Sequence, residues 1–98
     1  MNRIRVVIFE PGKPGREDYI PDSEKAMERV VGGAIQSGLL TLHTRIVYAK
    51  HPKQREESRF GISGTCFVAG EEDGRPGNLS RRQVDFLLGY GGANHGEL

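Results

Sequence analysis

Residues 62–88 constrain this chain more than any other stretch. Ile62-Ser-Gly-Thr-Cys-Phe-Val-Ala-Gly70 is apolar and β-branched enough for a buried strand. Glu71-Glu-Asp-Gly-Arg-Pro-Gly77 has the composition of a turn. Asn78-Leu-Ser-Arg-Arg-Gln-Val-Asp-Phe-Leu-Leu88 then opens a helix. Ser80 followed by Gln83 is the Ser-x-x-Gln form of a capping box, and Val84, Leu87 and Leu88 make its buried stripe. The predicted strand covers 62–69 and the predicted helix 80–89. A chain that must hold both is neither all-helical nor all-strand.

The first half repeats the alternation. Ile4, Val6 and Ile8 interleave with Arg5, Val7 and Phe9, so a strand over 3–9 is apolar on both faces. Such a strand lies inside a sheet or is covered on both sides. Pro11-Gly-Lys-Pro-Gly15 ends it, and Arg16–Ile20 can pair back as a short edge strand. Asp22 or Ser23 caps a helix over 23–32, with Ala26, Met27, Val30, Val31 and Ala34 on one stripe. Gly32-Gly33 stops that helix and suggests a close packing point. A strand begins at Ala34, with a turn or bulge expected near Gly38. Thr44–Ala49 alternates again as a further strand. Lys50–Gly61 has no aliphatic residue and reads as an exposed loop or hairpin tip. Residues 91–98 read as a flexible Gly-rich tail, leaving 1–90 as one domain.

Composition narrows the class. At 98 residues there is room for one domain with a small core. Hydrophobic content of 36% against 28% charge favours a folded chain over a disordered one. A net charge of +1 supplies no global field for nucleic acid. One cysteine rules out an internal disulfide and fits a reducing compartment. No apolar run reaches the roughly 18–20 residues of a membrane span, and the N-terminus enters a strand pattern at once. The expectation is a cytoplasmic protein without a membrane anchor.

In order, the chain offers Glu10-Pro-Gly12, Val31-Gly-Gly-Ala-Ile-Gln36, Gly64-Thr-Cys-Phe-Val-Ala-Gly70 and Leu79-Ser-Arg-Arg-Gln83. This succession resembles a family of short proteins from bacteriophages, plasmids and integrative elements whose shared domain has no assigned function. The similarity covers most of 4–88. It implies an accessory protein of a phage or mobile element and carries over no catalytic residue. Arg81-Arg82 stands where acidic residues are usual in that family, and the 50–61 loop is shorter and more basic.

Two sets of cations invite a functional reading. Arg81 and Arg82 fall in the first turn of the second helix, where free N–H groups and Ser80 would complete an anion site for a phosphate or nucleotide. The alternative is two solvated side chains. Lys50, Lys53, Arg55 and Arg59 could meet a nucleic-acid backbone or a partner protein, although Glu56 and Glu57 interrupt them and only Phe60 offers a stacking face. The alternative is a solvated hairpin tip.

Other chemistry finds less support. His43, His51 and His95 have no ligand spacing for a metal. Cys66 sits between Thr65 and Phe67 as a small core residue with no base assigned to it. Gly89–Gly96 follows a helix instead of opening one and lacks the Gly-Lys-Ser/Thr ending of a phosphate loop. Glu71, Glu72 and Asp73 are adjacent in a turn.

The sequence therefore supports an α+β domain, a mixed sheet of about four to five strands with two helices on one face. The expected function is non-enzymatic, with no cofactor and no metal. The protein would bind or inhibit a host protein, or sequester a small anionic, nucleotide-like ligand. Nucleic-acid binding through 50–59 is the alternative, and a homodimer formed through an edge strand is expected.

Overall fold

The protein is described by a computed structural model covering residues 2–89. The elements run β1 (Arg3–Phe9), β2 (Arg16–Pro21), α1 (Glu24–Val31), β3 (Ile35–Leu39), β4 (Thr44–Ala49), β5 (Cys66–Glu72), β6 (Arg75–Gly77) and α2 (Arg81–Leu87). They build a six-stranded sheet in the order β2-β1-β5-β4-β3, with β6 also paired to β5. The fold is α+β. The expected tail at 91–98, with Tyr90 and His95, lies outside the described residues.

Every pairing is antiparallel, so the sheet is not mixed. The physical reason lies in the α1 crossover. A helical connection joins strands that run the same way, and β2 and β3 do. They occupy opposite edges, however, so three antiparallel neighbours separate them. The extra strand is β6, whose Arg-Pro-Gly composition reads as a turn.

The helices cover opposite faces, not one face. Alternation along the strands sends Ile4, Val6, Ile8, Val47, Phe67 and Ala69 to one side, where Met27 and Val31 of α1 complete the cluster. Val7, Phe9, Ile46, Cys66 and Val68 point to the other side, where Leu79 and Val84 of α2 close over them. β1 is apolar on both faces because both faces are buried, as its pattern required.

Caps sit where the sequence put them. Ser23 accepts from Ala26 N–H, and Gly32 ends α1 at φ +87°. Gly32 is a helix stop only. A Cβ built on it or on Gly33 would meet nothing within 4 Å, so neither is a close packing point. Ser80 and Gln83 form the full capping box of α2. Gly38 continues β3 opposite Ile46 instead of turning it. β5 starts at Cys66, four residues later than Ile62. Gly64 at φ +79° breaks the extended run before it.

Beyond Val68 the strands β1 and β5 part, and β6 with Asn78–Leu79 fills the space. Asn78 Oδ1 accepts from Arg5 N–H at 2.8 Å, and Leu79 N–H donates to Arg5 C=O at 3.0 Å. A side-chain amide thus completes the ladder that β5 leaves unfinished.

Candidate functional site

The anion site expected at α2 is not assembled. Arg81 turns away from the helix end and pairs with Glu17 of β2 at 2.5 Å and with Asp85 at 3.3 Å. The Glu17 hydrogen bond and then the Asp85 one hold its guanidinium more firmly charged than usual. Arg5 joins the same cluster, 3.7 Å from Glu17 and hydrogen-bonded to the Tyr19 hydroxyl. Ser80 is also committed: its hydroxyl accepts from Gln83 N–H, and its own N–H donates to Gln83 Oε1 at 2.8 Å. Arg82 points elsewhere and borders a groove described below. Arg81 and Arg82 therefore do not converge on one ligand position.

The basic loop is divided in a similar way. Lys50, Lys53, Arg55 and Arg59 are all exposed. Arg59 nevertheless folds back, its guanidinium carbon 4.8 Å from the centre of the Phe9 ring. Lys53 lies by the C-terminal end of α1, where it borders a shallow depression with Lys25, Arg29 and Glu28. The four cations do not form one projecting tip.

Cys66 is fully buried. Burial pushes its thiol pKa up, against smaller opposing effects of Ser58 and Arg59. The Ser58 hydroxyl lies 3.5 Å from its sulfur. A nucleophilic thiol needs the opposite shift and an accessible sulfur. His43 stands just before β4 and borders the groove, its C=O bonded to Glu71 N–H at the far end of β5 from Cys66. Among the described residues, no group of three His, Cys, Asp or Glu side chains could hold a metal ion.

A feature that sequence reasoning missed is the groove between α2 and the β3–β4 turn. It encloses about 460 Å³, with Leu40, Phe60, Phe86 and Leu87 as apolar walls and His43 and Arg82 at its polar margin. No carboxylate lines it. Phe60 and Phe86 are 45% and 52% exposed, so two aromatic faces look into water. Exposed apolar surface gathered in a concavity is the usual mark of a binding site.

The groove owes its Phe60 wall to an unusual turn. Phe60 at φ +59° and Gly61 at φ +73° are the central residues of a type I′ turn, closed by Ile62 N–H to Arg59 C=O at 3.0 Å. Asn or Asp normally holds the first of these positions, and a bulky residue there costs on the order of 1–3 kcal/mol. The turn sets the Phe60 ring edge-on to Phe9, with centroids 5.7 Å apart. That contact returns about 0.5–1.5 kcal/mol. The position is held against its backbone preference, and Phe60 stays partly exposed beside the groove.

The chain has no significant match to any family model, curated protein or solved structure. The kinship suggested by residues 4–88 rests on its motifs alone. No helix among the described residues is long and apolar enough to cross a membrane.

Proposed function

We propose that this domain is a non-enzymatic binding protein that receives a segment of a partner protein in the Phe60–Phe86 groove. The apolar, cation-edged shape of that groove carries the reading. An occupant that fits has apolar side chains for the two phenylalanines and Leu40, and a carboxylate for Arg82. In the setting that the mobile-element resemblance implies, such a segment belongs to a host protein, and its capture would inhibit that host protein. Sequestration of a nucleotide-like anion is less favoured, because Arg81 already answers to Glu17 and Asp85.

The test is a selection of random displayed peptides on the purified protein. The expected winners combine Leu, Phe or Met with Asp or Glu. Phe60→Asn gives the decisive control, since Asn suits the type I′ turn and removes only the ring. Affinity for the selected peptides should fall at least tenfold in Phe60→Asn and in Phe86→Ser, and stay level in Arg81→Ala. Wild-type affinity in both groove variants rejects the site.

A second reading keeps nucleic acid as partner. It is favoured by Lys25, Arg29 and Lys53 coming together from two segments. Phosphate contacts of that kind weaken steeply with salt. A gel shift that is absent at low salt, or unchanged in Arg29→Glu, excludes it.

A further inference from the structure

The two edges of the sheet are built differently. β2 carries Arg16, Glu17 and Asp18 and ends at Pro21. Charges and proline on an edge discourage pairing with another chain. β3 reads Ile-Gln-Ser-Gly-Leu and holds no charge at all. Among the described residues, no strand pairs with its outer side.

The register states which backbone groups that side offers. Leu40 N–H donates to Thr44 C=O and Lys50 N–H to Ala34 C=O. The antiparallel ladder alternates, so the even-numbered residues of β3 bond to β4. Ile35, Ser37 and Leu39 consequently turn their N–H and C=O groups outward. Their side chains share the α1 face. Ile35 packs on the core there and Ser37 accepts from Arg45 Nη1 at 3.0 Å. Leu39 is 59% exposed.

We infer that β3 is the self-association edge of this protein, pairing antiparallel with β3 of a second copy about a two-fold axis at Ser37. The strand is self-complementary about that residue. Ser37 meets Ser37 of the second copy, and Ile35 meets Leu39, so each rung with outward-facing groups can exchange both of its bonds. The exposed Leu39 gains an isoleucine neighbour. Gln36 falls opposite Gly38, and a Cβ built on Gly38 meets nothing within 4 Å, so the face has room for the amide. No like charges oppose each other anywhere in the strand. A foreign peptide would gain the same backbone bonds, but it has no reason to match this symmetric spacing. The two-fold stands perpendicular to the joined sheet, which puts both Phe60–Phe86 grooves on the same face. The dimer does not depend on what those grooves bind.

The experiment is sedimentation equilibrium of the full chain over a range of concentration, with two charged variants. Wild type is expected to approach twice the 10.8 kDa chain mass as concentration rises. Ser37→Lys and Ser37→Glu each place like charges directly opposite at the axis, so each alone should remain at monomer mass with an unchanged circular dichroism spectrum. An equimolar mixture of the two should recover the dimer, because opposite charges then meet across the axis. A wild type that stays monomeric at millimolar concentration overturns the inference. Variants that dimerise as wild type does, or a folded pair that fails to recover on mixing, overturn it as well.

Discussion

Asp73-Gly74 and Phe60-Gly61 turn the chain in the same way, with φ of +53° and +82° in one and +59° and +73° in the other. Asp-Gly is the pair such a turn prefers, and the acidic turn was legible from the composition of 71–77. Phe-Gly has no place among turn signals, so nothing local announced that Phe60 would be displayed. Phe86 was hidden for a related reason. It falls off the Val84, Leu87, Leu88 stripe, and an off-stripe aromatic on a short helix suggests nothing until its neighbours are known. Gly70 shows the opposite case, where space alone dictates the residue. A Cβ there would come within 2.1 Å of Asn78 C=O, which is backbone and cannot step aside. Gly70→Ala should cost about 1–3 kcal/mol or more, read as a lower urea midpoint. Cys66 gives a second check. Its thiol should resist a thiol reagent at neutral pH in the native protein and react fully in urea. Because burial raises its folded-state pKa, the folded protein keeps this proton after the unfolded chain has lost it. Stability should therefore fall as pH rises above about 8.5. A rapid native reaction would contradict the burial.

At the scale of elements, the capped helices were the easiest to read, because a cap is a local bargain between neighbours. Ser80 and Gln83 satisfy each other whatever lies beyond. β6 was unreadable, because Pro76 argues against a strand. It fits only because it stands opposite Glu71, between the Gly70–Gly77 and Glu72–Arg75 rungs, where the ladder asks for no N–H. Glu71 binds several elements at once. Its carboxylate accepts from Arg45 Nε at 2.7 Å and from Gly74 N–H at 2.7 Å, while Arg45 also reaches Ser37. The hydrogen bond from Arg45, followed by the one from Gly74, holds this carboxyl below its ordinary pKa. The folded state thus stays ionised where the unfolded chain takes up a proton. This tie contributes fully above about pH 4.3 and is lost as pH falls through the lowered folded value. Acid titration of the urea midpoint should show a steeper loss in wild type than in Glu71→Gln. Matching acid limbs would remove Glu71 from the account.

At the scale of the molecule, fold class and most strand positions were visible in the hydrophobic alternation, whereas strand order was not. Alternation says that a residue is buried; it does not say by which neighbour. The same limit applied to the helices. Val84 and Met27 each announce a buried stripe, and nothing in either stripe says that they lie on opposite sides of one sheet. The cations of the candidate sites were found by type, but their partners come from distant segments, as Glu17 does for Arg81 and Phe9 for Arg59. Amide exchange should map the order directly. Val7, Val47 and Val68 lie on strands flanked on both sides and should exchange slowest. Ile35, Ser37 and Leu39 should exchange fast in dilute solution, where copies are apart. Slow exchange at these three in a proven monomer would mean that the outer edge of β3 is covered by something else.

The central place of β1 also sets a schedule for the chain during its synthesis. Phe9 pairs with Cys66 and Val7 with Val68, so β1 has its inner neighbour about 60 residues behind it. At roughly 5–20 residues per second, the β1–β2 hairpin is complete about 2–9 s before β5 begins. Val7 and Phe9 are then uncovered, because Leu79 and Val84, which close over them, come later still. For those seconds the nascent chain exposes apolar strand surface of the kind that chaperones shield.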